Sequence, residues 1–515
     1  MTDASAPYQA LHLYAYQPRG ENSGQFHHRV LNSAALFSES AVLRVTPLAL
    51  YDPAFPRAAL RCDLLIADMV SAPELEAVIR WRRARGQCTL YEISDNFLGL
   101  GGWLPDNHLL RSPLVRQQIL FYASMCDGLQ VSAPGLAEVF GELNSRVGVL
   151  ENFVPAPARL PDKPPGFVFG WAGTNTHRDD LAEITPVISA FCQRHPEAVF
   201  ALMGDLKGLA PLFATIPEAQ MRCQPFGPYA DYLAFTRTWH VGLAPMRATP
   251  FNQGRTDVKF VELAASGTVA VLADCPIYQP HAEHACLFAS PDELADILER
   301  LHARSEERLR LTQRALDWVN THRSATTLRD QRYQFYRPFL AGHSPPLDLP
   351  DPMDSPERLA EALLAYERQD YESTARLALD LLAARPDYEQ ACWLAATSLY
   401  RQKRYAAVLS LVTGVEISPV YSDLLAELGC LAARHARPAA AADYFARVQS
   451  PLIKSRLRAS EFPEPGERYR QILAHQPFDY FALLGLIHHL RHTQPESAEL
   501  PALVKRARWF GVKVV

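Results

Sequence analysis

Short apolar runs alternate with amphipathic stretches along the first two thirds of this 515-residue chain. In residues 8–155 the predicted strands are 11–16, 64–67 and 89–93, and the predicted helices are 27–37, 73–85 and 114–126. In residues 166–340 the predicted strands are 167–171, 198–203, 241–244, 268–273 and 285–288, and the predicted helices are 179–194, 229–238, 257–266 and 291–319. Such alternation is typical of a parallel sheet covered by helices. We therefore predict two doubly wound α/β domains, in which ligands bind at the carboxyl ends of the strands.

Residues 354–515 show no strand pattern and are rich in Ala, Leu and Arg. They contain a period instead, because Tyr366 and Tyr371 are matched by Tyr400 and Tyr405 at an offset of 34 residues. A helix–turn–helix period of this length resembles the tetratricopeptide repeat, and an irregular helical domain is the alternative. Proline-dense stretches separate the three regions and indicate linkers. We predict an all-α repeat domain after the two α/β domains.

The composition is that of a globular protein without a general basic field. The formal net charge is -5 and 48% of the residues are hydrophobic, so we expect no nucleic-acid partner and at most a peripheral membrane contact. Nine scattered cysteines without a C-x-x-C pair predict reduced thiols in a reducing compartment. The amino terminus lacks a signal pattern, and no apolar run approaches the roughly 18 residues of a membrane span. We therefore expect a cytoplasmic protein.

A glycine turn follows the strand predicted at 167–171. The turn reads Gly-Trp-Ala-Gly-Thr-Asn-Thr-His-Arg, so that Gly173 permits a close approach of backbone to a ligand and Thr174 opens a polar run ending at Arg178. A helix start offers free N–H groups and a positive dipole end to an anion. A tight structural turn is the alternative, but five polar residues ending in an arginine favour an anion site.

A second polar loop, which contains Asn252, follows the strand predicted at 241–244. The next helix carries Lys259 and Glu262, which share a face because they are one turn apart. A surface ion pair, worth a few tenths of a kcal/mol, is the alternative. The helix begins at the carboxyl side of the strand, where a cleft is expected. Lys259 supplies a cation for phosphate groups, and the Glu262 carboxylate can accept hydrogen bonds from a ribose. Together they predict a nucleotide-diphosphate pocket.

These motifs together resemble retaining glycosyltransferases of the GT-B fold, which has two Rossmann-like domains. The glycine turn and the spacing from Pro245 through Asn252, Lys259 and Glu262 to Gly267 are similar to the large GT4-like group 1 family, which includes sucrose and mannosyl transferases. The likeness covers both α/β domains and is strongest in the second.

The resemblance implies that the second α/β domain binds the sugar nucleotide and that the first faces the acceptor. The implied donor-binding residues of the second domain are Gly173, Thr174, Arg178, Asn252, Lys259 and Glu262. Of these, Glu262 would hold the ribose hydroxyls, and Lys259 and Arg178 would neutralise the diphosphate. In the first domain, the glycine loop that ends at Gly24 resembles the family's loop facing the phosphates, and a plain strand-to-helix turn is the alternative.

Two positions depart from the family pattern. Gly254 stands eight residues before Glu262, where the family has a glutamate that contacts the donor sugar. Ser94 stands where many members have the histidine of a His-Asp pair. Asp95 follows Ser94, and we regard Asp95 and His108 as the candidate catalytic residues of the cleft.

The sequence contains no clear metal-ligand set. No D-x-D occurs in the chain, so a metal-chelated diphosphate is not supported. His488 and His492 share a helical face, but no third ligand stands near them in sequence. We therefore expect a nucleotide-sugar substrate and neither a metal nor another cofactor.

We predict an enzyme that moves a sugar from a nucleotide diphosphate to an acceptor hydroxyl, with retention if the family pattern holds. Concave repeat arrays suit extended peptide ligands, so we expect the repeats to bind a protein acceptor or partner. A lipid-linked glycan in surface polysaccharide assembly is the alternative acceptor. A non-catalytic repeat scaffold on a degenerate GT-B unit and other GT-B chemistry, such as epimerisation, are further alternatives.

Overall fold

Two parallel six-stranded sheets, each covered by helices, are followed by a helical third region. The structure is a computed structural model, and it describes residues 7–15, 24–50, 52, 54–55, 57–72, 74–100, 109–340, 356–412, 421–434, 437–448 and 464–511. None of the helices in these ranges is both long enough and apolar enough to cross a membrane.

The first sheet has the strand order β2-β1-β3-β4-β5-β6. Its strands are β1 (Tyr8–Tyr14), β2 (Leu43–Ala49), β3 (Leu64–Asp68), β4 (Cys88–Ile93), β5 (Gly128–Val131) and β6 (Val147–Val149). Its helices are α1 (Asn32–Ala35), α2 (Arg57–Arg61), α3 (Glu74–Ala84), α4 (Pro113–Met125) and α5 (Pro134–Phe140). A π-helix over Phe26–Leu31 leads directly into α1. Every residue of β3 is buried, as expected for a central parallel strand with helices on both faces.

The second sheet has the order β9-β8-β7-β10-β11-β12, which is the 3-2-1-4-5-6 order of a Rossmann domain. Its strands are β7 (Phe167–Ala172), β8 (Ala198–Gly204), β9 (Met221–Pro225), β10 (Val241–Ala244), β11 (Val269–Ala273) and β12 (Cys286–Phe288). Its helices are α6 (Arg178–Arg194), α7 (Leu206–Leu209), α8 (Tyr229–Thr236), α9 (Pro250–Gln253), α10 (Val258–Ala265), α11 (Pro291–Ala303), α12 (Ser305–His322) and α13 (Ala325–Tyr336). The predicted α/β fold class is therefore confirmed.

Two helix predictions need correction. The helix predicted at 291–319 is two helices, because Arg304 leaves the helical conformation (φ -117°, ψ 85°) between α11 and α12. The helix predicted at 27–37 is the π-helix followed by α1 and ends at Ala35.

The third region is helical, and its first part contains repeated helix pairs. Its helices are α14 (Pro356–Glu367), α15 (Tyr371–Ala384), α16 (Glu389–Arg401), α17 (Tyr405–Val412), α18 (Ser422–Arg434), α19 (Pro438–Arg447), α20 (Pro465–His475), α21 (Tyr480–Thr493) and α22 (Leu500–Ala507). The rings of Tyr366 and Tyr371 meet edge-on at 5.7 Å and 69°, and those of Tyr400 and Tyr405 do so at 5.5 Å and 63°. The sequence period thus corresponds to a repeated local contact, and its assignment to tetratricopeptide repeats stays a prediction.

Several late helices pack against the first α/β domain. Residues of α20, α21 and α22, including Leu486 and Leu503, belong to the same buried cluster as Phe97 and Phe140. Residues of α13, including Leu328, lie in a cluster on the other face of the first sheet. The chain therefore returns to its first domain after the second α/β domain and again at its late helices.

Candidate active site

Each sheet has one point at which its strand order reverses, and the loops at these two points meet. The reversal lies between β1 and β3 in the first sheet and between β7 and β10 in the second. In open α/β sheets, the crevice at such a point is where ligands bind. His28, on the π-helix that follows β1, contacts Glu262 on α10 across the domain boundary. The two crevices therefore form one cleft.

The turn after β7 is compact and polar. A Cβ added to Gly173 would lie 2.7 Å from the ring of Trp171, so packing within the turn already requires a glycine. The Gly173 N–H donates to the Met203 carbonyl at 3.1 Å and ties the turn to β8. The hydroxyls of Thr174 and Thr176 are 2.7 Å apart. The packing of the turn thus explains the glycine at position 173 without any ligand, as in the alternative of a tight structural turn.

Asp180 joins the start of α6 to the loop after β10. Its carboxylate lies 2.9 Å from Nδ1 of His177 and accepts hydrogen bonds from the Arg247 backbone N–H at 3.0 Å and from Nδ2 of Asn252 at 3.2 Å. Asn252 also donates to the Arg247 carbonyl at 2.9 Å. Asn252 therefore holds the loop in place, whereas Arg178, the first residue of α6, is exposed.

Lys259 and Glu262 lie together on α10, and Glu262 is only 2% exposed. Oε2 of Glu262 accepts hydrogen bonds from the Tyr232 hydroxyl at 2.7 Å and from Nζ of Lys259 at 3.1 Å, and Oε1 lies 3.0 Å from Nε2 of His28. The Lys259 ammonium also lies 4.6 Å from the centre of the Tyr232 ring, in cation–π range. The pair is therefore not a solvated surface ion pair.

Opposite charge and hydrogen bonds keep Glu262 ionised inside the protein. Burial alone would raise the pKa of this carboxyl, but the Lys259 ammonium and the hydrogen bonds from His28 and Tyr232 lower the pKa to about 2. A carboxylate offers about four acceptor positions, of which three are used here. The Tyr229 hydroxyl also interacts with Glu262, so a ligand hydroxyl would have to replace one of these partners.

The start of α6 experiences the positive charge of the cleft. Burial lowers the pKa of His177, the Asp180 carboxylate opposes this, and the charges of Arg255 and Lys259 lower it further. A neutral imidazole is therefore favoured at this helix start. The charges of Arg255 and Lys259 therefore act at the amino-terminal end of α6, and the helix dipole also attracts anions to this end.

Asp95 lies at the domain boundary and is paired. Its Oδ1 is 3.0 Å from Arg255 of the second domain, and the Arg255 guanidinium stacks 4.3 Å from the centre of the Phe251 ring. The neighbouring Asn96 donates from Nδ2 to the Pro250 carbonyl at 2.8 Å. This strand end of the first domain therefore contacts the α9 loop directly.

The same boundary explains the glycine at position 254. A Cβ there would lie 2.7 Å from Cβ of Asn96 and 2.9 Å from a methyl group of Leu136, both in the first domain. A glutamate at this position would have to displace the first domain. The departure from the family pattern thus coincides with a close contact between domains.

Gly24 lies at the start of the helical segment that follows β1, and it is exposed. The next residue, Gln25, donates from Nε2 to Oγ of Ser94 at 2.8 Å and to the Asp68 carboxylate at 3.3 Å. Burial, and then the charge of Glu92, raise the pKa of Asp68 well above its ordinary value. Ser94 therefore takes part in a hydrogen-bond network rather than in a His-Asp pair.

Three residues of the cleft escaped the sequence analysis, namely Asp180, Tyr229 and Tyr232. The Tyr229 ring stacks on His27 at 4.8 Å and on Tyr232 at 5.7 Å. The signal that could have revealed the two tyrosines is Tyr-Ala-Asp-Tyr at the start of α8, with two aromatic residues one helical turn apart. The candidate His108 lies outside the described residues.

Most of the second α/β domain matches a known protein family. Residues 186–333 match a family described as glycosyl transferase-like. The match includes Asn252, Lys259 and Glu262, and it leaves the first α/β domain and the third region outside. No curated protein sequence matches the chain.

Several solved structures show a distant overall likeness to this chain. TarM of S. aureus, in a complex with UDP, is 11% identical with a TM-score of 0.40, and the match covers 53% of this chain and 55% of TarM. HepE of Anabaena, in complex with UDP, is 13% identical with a TM-score of 0.46, and the match covers 64% of this chain and 100% of HepE. An E. coli protein bound with UDP-2-fluoro glucose is 11% identical with a TM-score of 0.42, and the match covers 65% of this chain and 100% of the E. coli protein. The chain thus spans about half the length of TarM.

Proposed function

We propose that this protein is a nucleotide-sugar glycosyltransferase whose donor binds in the cleft between the two α/β domains. The observation that carries the proposal is the buried, ionised Glu262, held by Lys259, Tyr232 and His28 where the strand order reverses. The family match of residues 186–333 supports the same reaction class.

The donor would occupy the cleft with its ribose at α10 and its diphosphate at the start of α6. Glu262 would accept the ribose hydroxyls in place of its present partners, with Lys259 and His28 moving aside. Lys259 would then reach the diphosphate together with Arg178. Gly173, Thr174 and Asn252 would shape this pocket, and Gly24 would approach the phosphates from the first domain.

In the proposed reaction, the bond between the sugar C1 and the phosphate oxygen breaks, and a bond forms from C1 to the acceptor oxygen. With retention, the departing phosphate takes the acceptor proton, so that no strong protein base is needed. Of the two candidate catalytic residues, we propose that His108 assists that proton transfer and that Asp95, which is paired with Arg255, acts in closure of the cleft. Lys259, Arg178 and the α6 dipole would stabilise charge on the leaving diphosphate without a metal or another cofactor.

We propose a protein acceptor or partner that binds the helical repeats, in a cytoplasmic setting. Repeated helix pairs with aromatic contacts support an extended binding surface, and nine unpaired cysteines support a reducing compartment. Transfer to a lipid-linked glycan is the alternative acceptor chemistry, and a non-catalytic scaffold is the alternative to an enzyme.

A panel of nucleotides and nucleotide sugars tests the donor site by thermal stabilisation and by slow release of nucleoside diphosphate. We expect one nucleotide class to raise Tm in the wild type, and Glu262→Gln to weaken its binding about 10- to 100-fold, because a charge-assisted hydrogen bond is worth about 1.5–3 kcal/mol. Glu306→Gln, on the exposed face of α12, is the matched control and should bind as the wild type does. Absence of stabilisation by any nucleotide in the wild type would contradict the proposed function.

A further inference from the structure

A cluster of metal-binding side chains lies at the opposite edge of the second sheet from the cleft. His195 ends α6, Glu197 immediately precedes β8, and His302 lies in the last turn of α11. Their ligand atoms lie within 4.8 Å of one another, and no other such group of three occurs in the part of the chain that the structure describes. Because β8 begins at Ala198, the cluster lies at the amino edge of the sheet.

The separations suit a small divalent ion. Oε1 of Glu197 is 2.9 Å from Nε2 of His302 and 3.6 Å from Nδ1 of His195. Zinc bonds of about 2.0–2.1 Å in a tetrahedral site place neighbouring ligand atoms about 3.3 Å apart. The two measured separations lie on either side of this value. Glu197 is more than half exposed, so its side chain has room to adjust.

A carboxylate behind His195 orients the ring for metal binding. Nε2 of His195 lies 2.8 Å from Oε2 of Glu299, and Glu299 is itself held by two hydrogen bonds from Arg194, at 3.0 and 2.8 Å. Histidine ligands usually donate their second ring N–H to such a carboxylate, which fixes the tautomer. With Nε2 donating to Glu299, Nδ1 presents its lone pair toward Glu197.

Both imidazole rings are also fixed by packing. The His302 ring meets Phe167 edge-on at 4.9 Å and Phe191 at 5.7 Å, and the His195 ring lies 4.6 Å from Phe191. Gln220 donates to the His195 carbonyl at 2.9 Å and holds the backbone there. Little side-chain entropy is therefore lost when an ion binds.

We propose that His195, Glu197 and His302 bind one divalent transition-metal ion, for which the ligand set favours zinc, with water as the fourth ligand. The ion ties the end of α6 to the end of α11 beside β8. This site lies away from the cleft, so it is independent of the proposed donor chemistry. Sequence reading missed it because His302 is remote in sequence from the other two ligands.

The test is a titration of the EDTA-treated full-length protein with ZnCl2, followed by calorimetry and by Tm. We expect one equivalent to bind and to raise Tm. Glu197→Gln should weaken the affinity at least tenfold without disturbing the fold, because this side chain is exposed. Glu299→Gln should weaken the affinity about 10- to 100-fold, as expected for a residue that orients a ligand.

The matched control is the double variant His488→Gln/His492→Gln, which removes the other close histidine pair, whose ring centres are 4.3 Å apart. This variant should bind zinc as the wild type does. Replacing zinc with CoCl2 should give the visible absorption of a tetrahedral site in the wild type and not in Glu197→Gln. Binding that is unchanged in Glu197→Gln, or lost in the histidine double variant, would overturn the proposal.

Discussion

Glu262 shows how a single side chain can be both buried and charged. Its pKa of about 2 lies below the ordinary value of 4.5, so the folded state binds fewer protons there than the unfolded chain does. Its contribution to stability is therefore complete above about pH 4.5 and is lost as the pH falls toward 2. Removing one partner of such a group leaves an uncompensated buried charge, which costs more than the pair itself contributes.

His240 makes stability depend on pH in a higher range. Its Nδ1 accepts a hydrogen bond from the Val168 N–H at 3.1 Å, and burial, followed by the charges of Arg308 and Lys163, lowers its pKa to about 4. Because the unfolded chain binds the proton near pH 6.5, stability should fall as the pH drops from 6.5 toward 4.

His240→Asn keeps an acceptor for the Val168 N–H without a titrating group. Between pH 6.5 and 5, we expect the wild type to lose about 1 kcal/mol more unfolding free energy than the variant, allowing for partial exposure of His240. Urea denaturation at both pH values measures this. The exposed His322→Asn serves as the control, and an equal loss in His240→Asn and the wild type would refute the assignment.

Gly254 is required by the neighbouring domain rather than by its own backbone conformation. Gly254→Ala places a methyl group 2.7 Å from Asn96, so we expect the two domains to separate or Tm to fall, at a cost of about 1–3 kcal/mol. Small-angle scattering and thermal unfolding measure the two outcomes. Gly141→Ala is the matched control, because no atom lies within 4 Å of its added Cβ. Equal behaviour of the two variants would show that the contact at Gly254 is unimportant.

The late helices α20, α21 and α22 supply part of the first domain's core, although they follow the repeats in sequence. Leu486 on α21 is 1% exposed in that core, whereas Leu379 on α15 is 38% exposed. We expect Leu486→Ala to lower the unfolding free energy by about 2–5 kcal/mol and Leu379→Ala to lower it by less than 1 kcal/mol. Denaturant titration followed by tryptophan fluorescence compares them, and similar costs would argue against a shared core.

Burial explains which strands the sequence predicts. The central strands β3, β7, β10 and β11 are buried on both faces, and their continuous apolar runs identify them. The missed strands β2, β6 and β9 lie at sheet edges and carry exposed or polar positions, such as Arg44 in β2. β5 lies inside the sheet and is fully buried, but its sequence Gly-Leu-Gln-Val contains the polar Gln130 and forms no continuous apolar run.

The sequence predicts contacts within the cleft only between residues that are close together in the chain. Lys259 and Glu262 are one turn apart on one helix, so helical geometry alone brings them together. Tyr232 and His28 meet Glu262 only through the packing of other elements, and sequence spacing carries no trace of that contact.

Two of the contacts between the α/β domains across the cleft join ionisable side chains: His28 with Glu262, and Arg255 with Asp95, each at 3.0 Å. The proposed donor site requires this boundary to open for the donor and to close around the reacting atoms. The Asp95 carboxylate is already paired with Arg255, so we expect it to act in closure rather than in proton transfer. Both side chains of this pair are partly exposed, which limits their coupling to about 1 kcal/mol.

Asp95→Asn and Arg255→Gln should therefore behave alike. We expect each to raise KM several-fold for the nucleotide sugar that stabilises the protein, to leave kcat within about twofold, and to be no worse when combined, because the two residues share one interaction. Steady-state kinetics of the single and double variants measures this. A loss of kcat of about 100-fold or more in Asp95→Asn alone would instead identify Asp95 as a catalytic residue, since general acid–base groups contribute about 100- to 10,000-fold. The double variant separates the two roles. If Asp95 acts only through its pair with Arg255, the double variant has the same KM and kcat as either single variant. If Asp95 is also catalytic, the double variant has the low kcat of Asp95→Asn, which Arg255→Gln alone does not show.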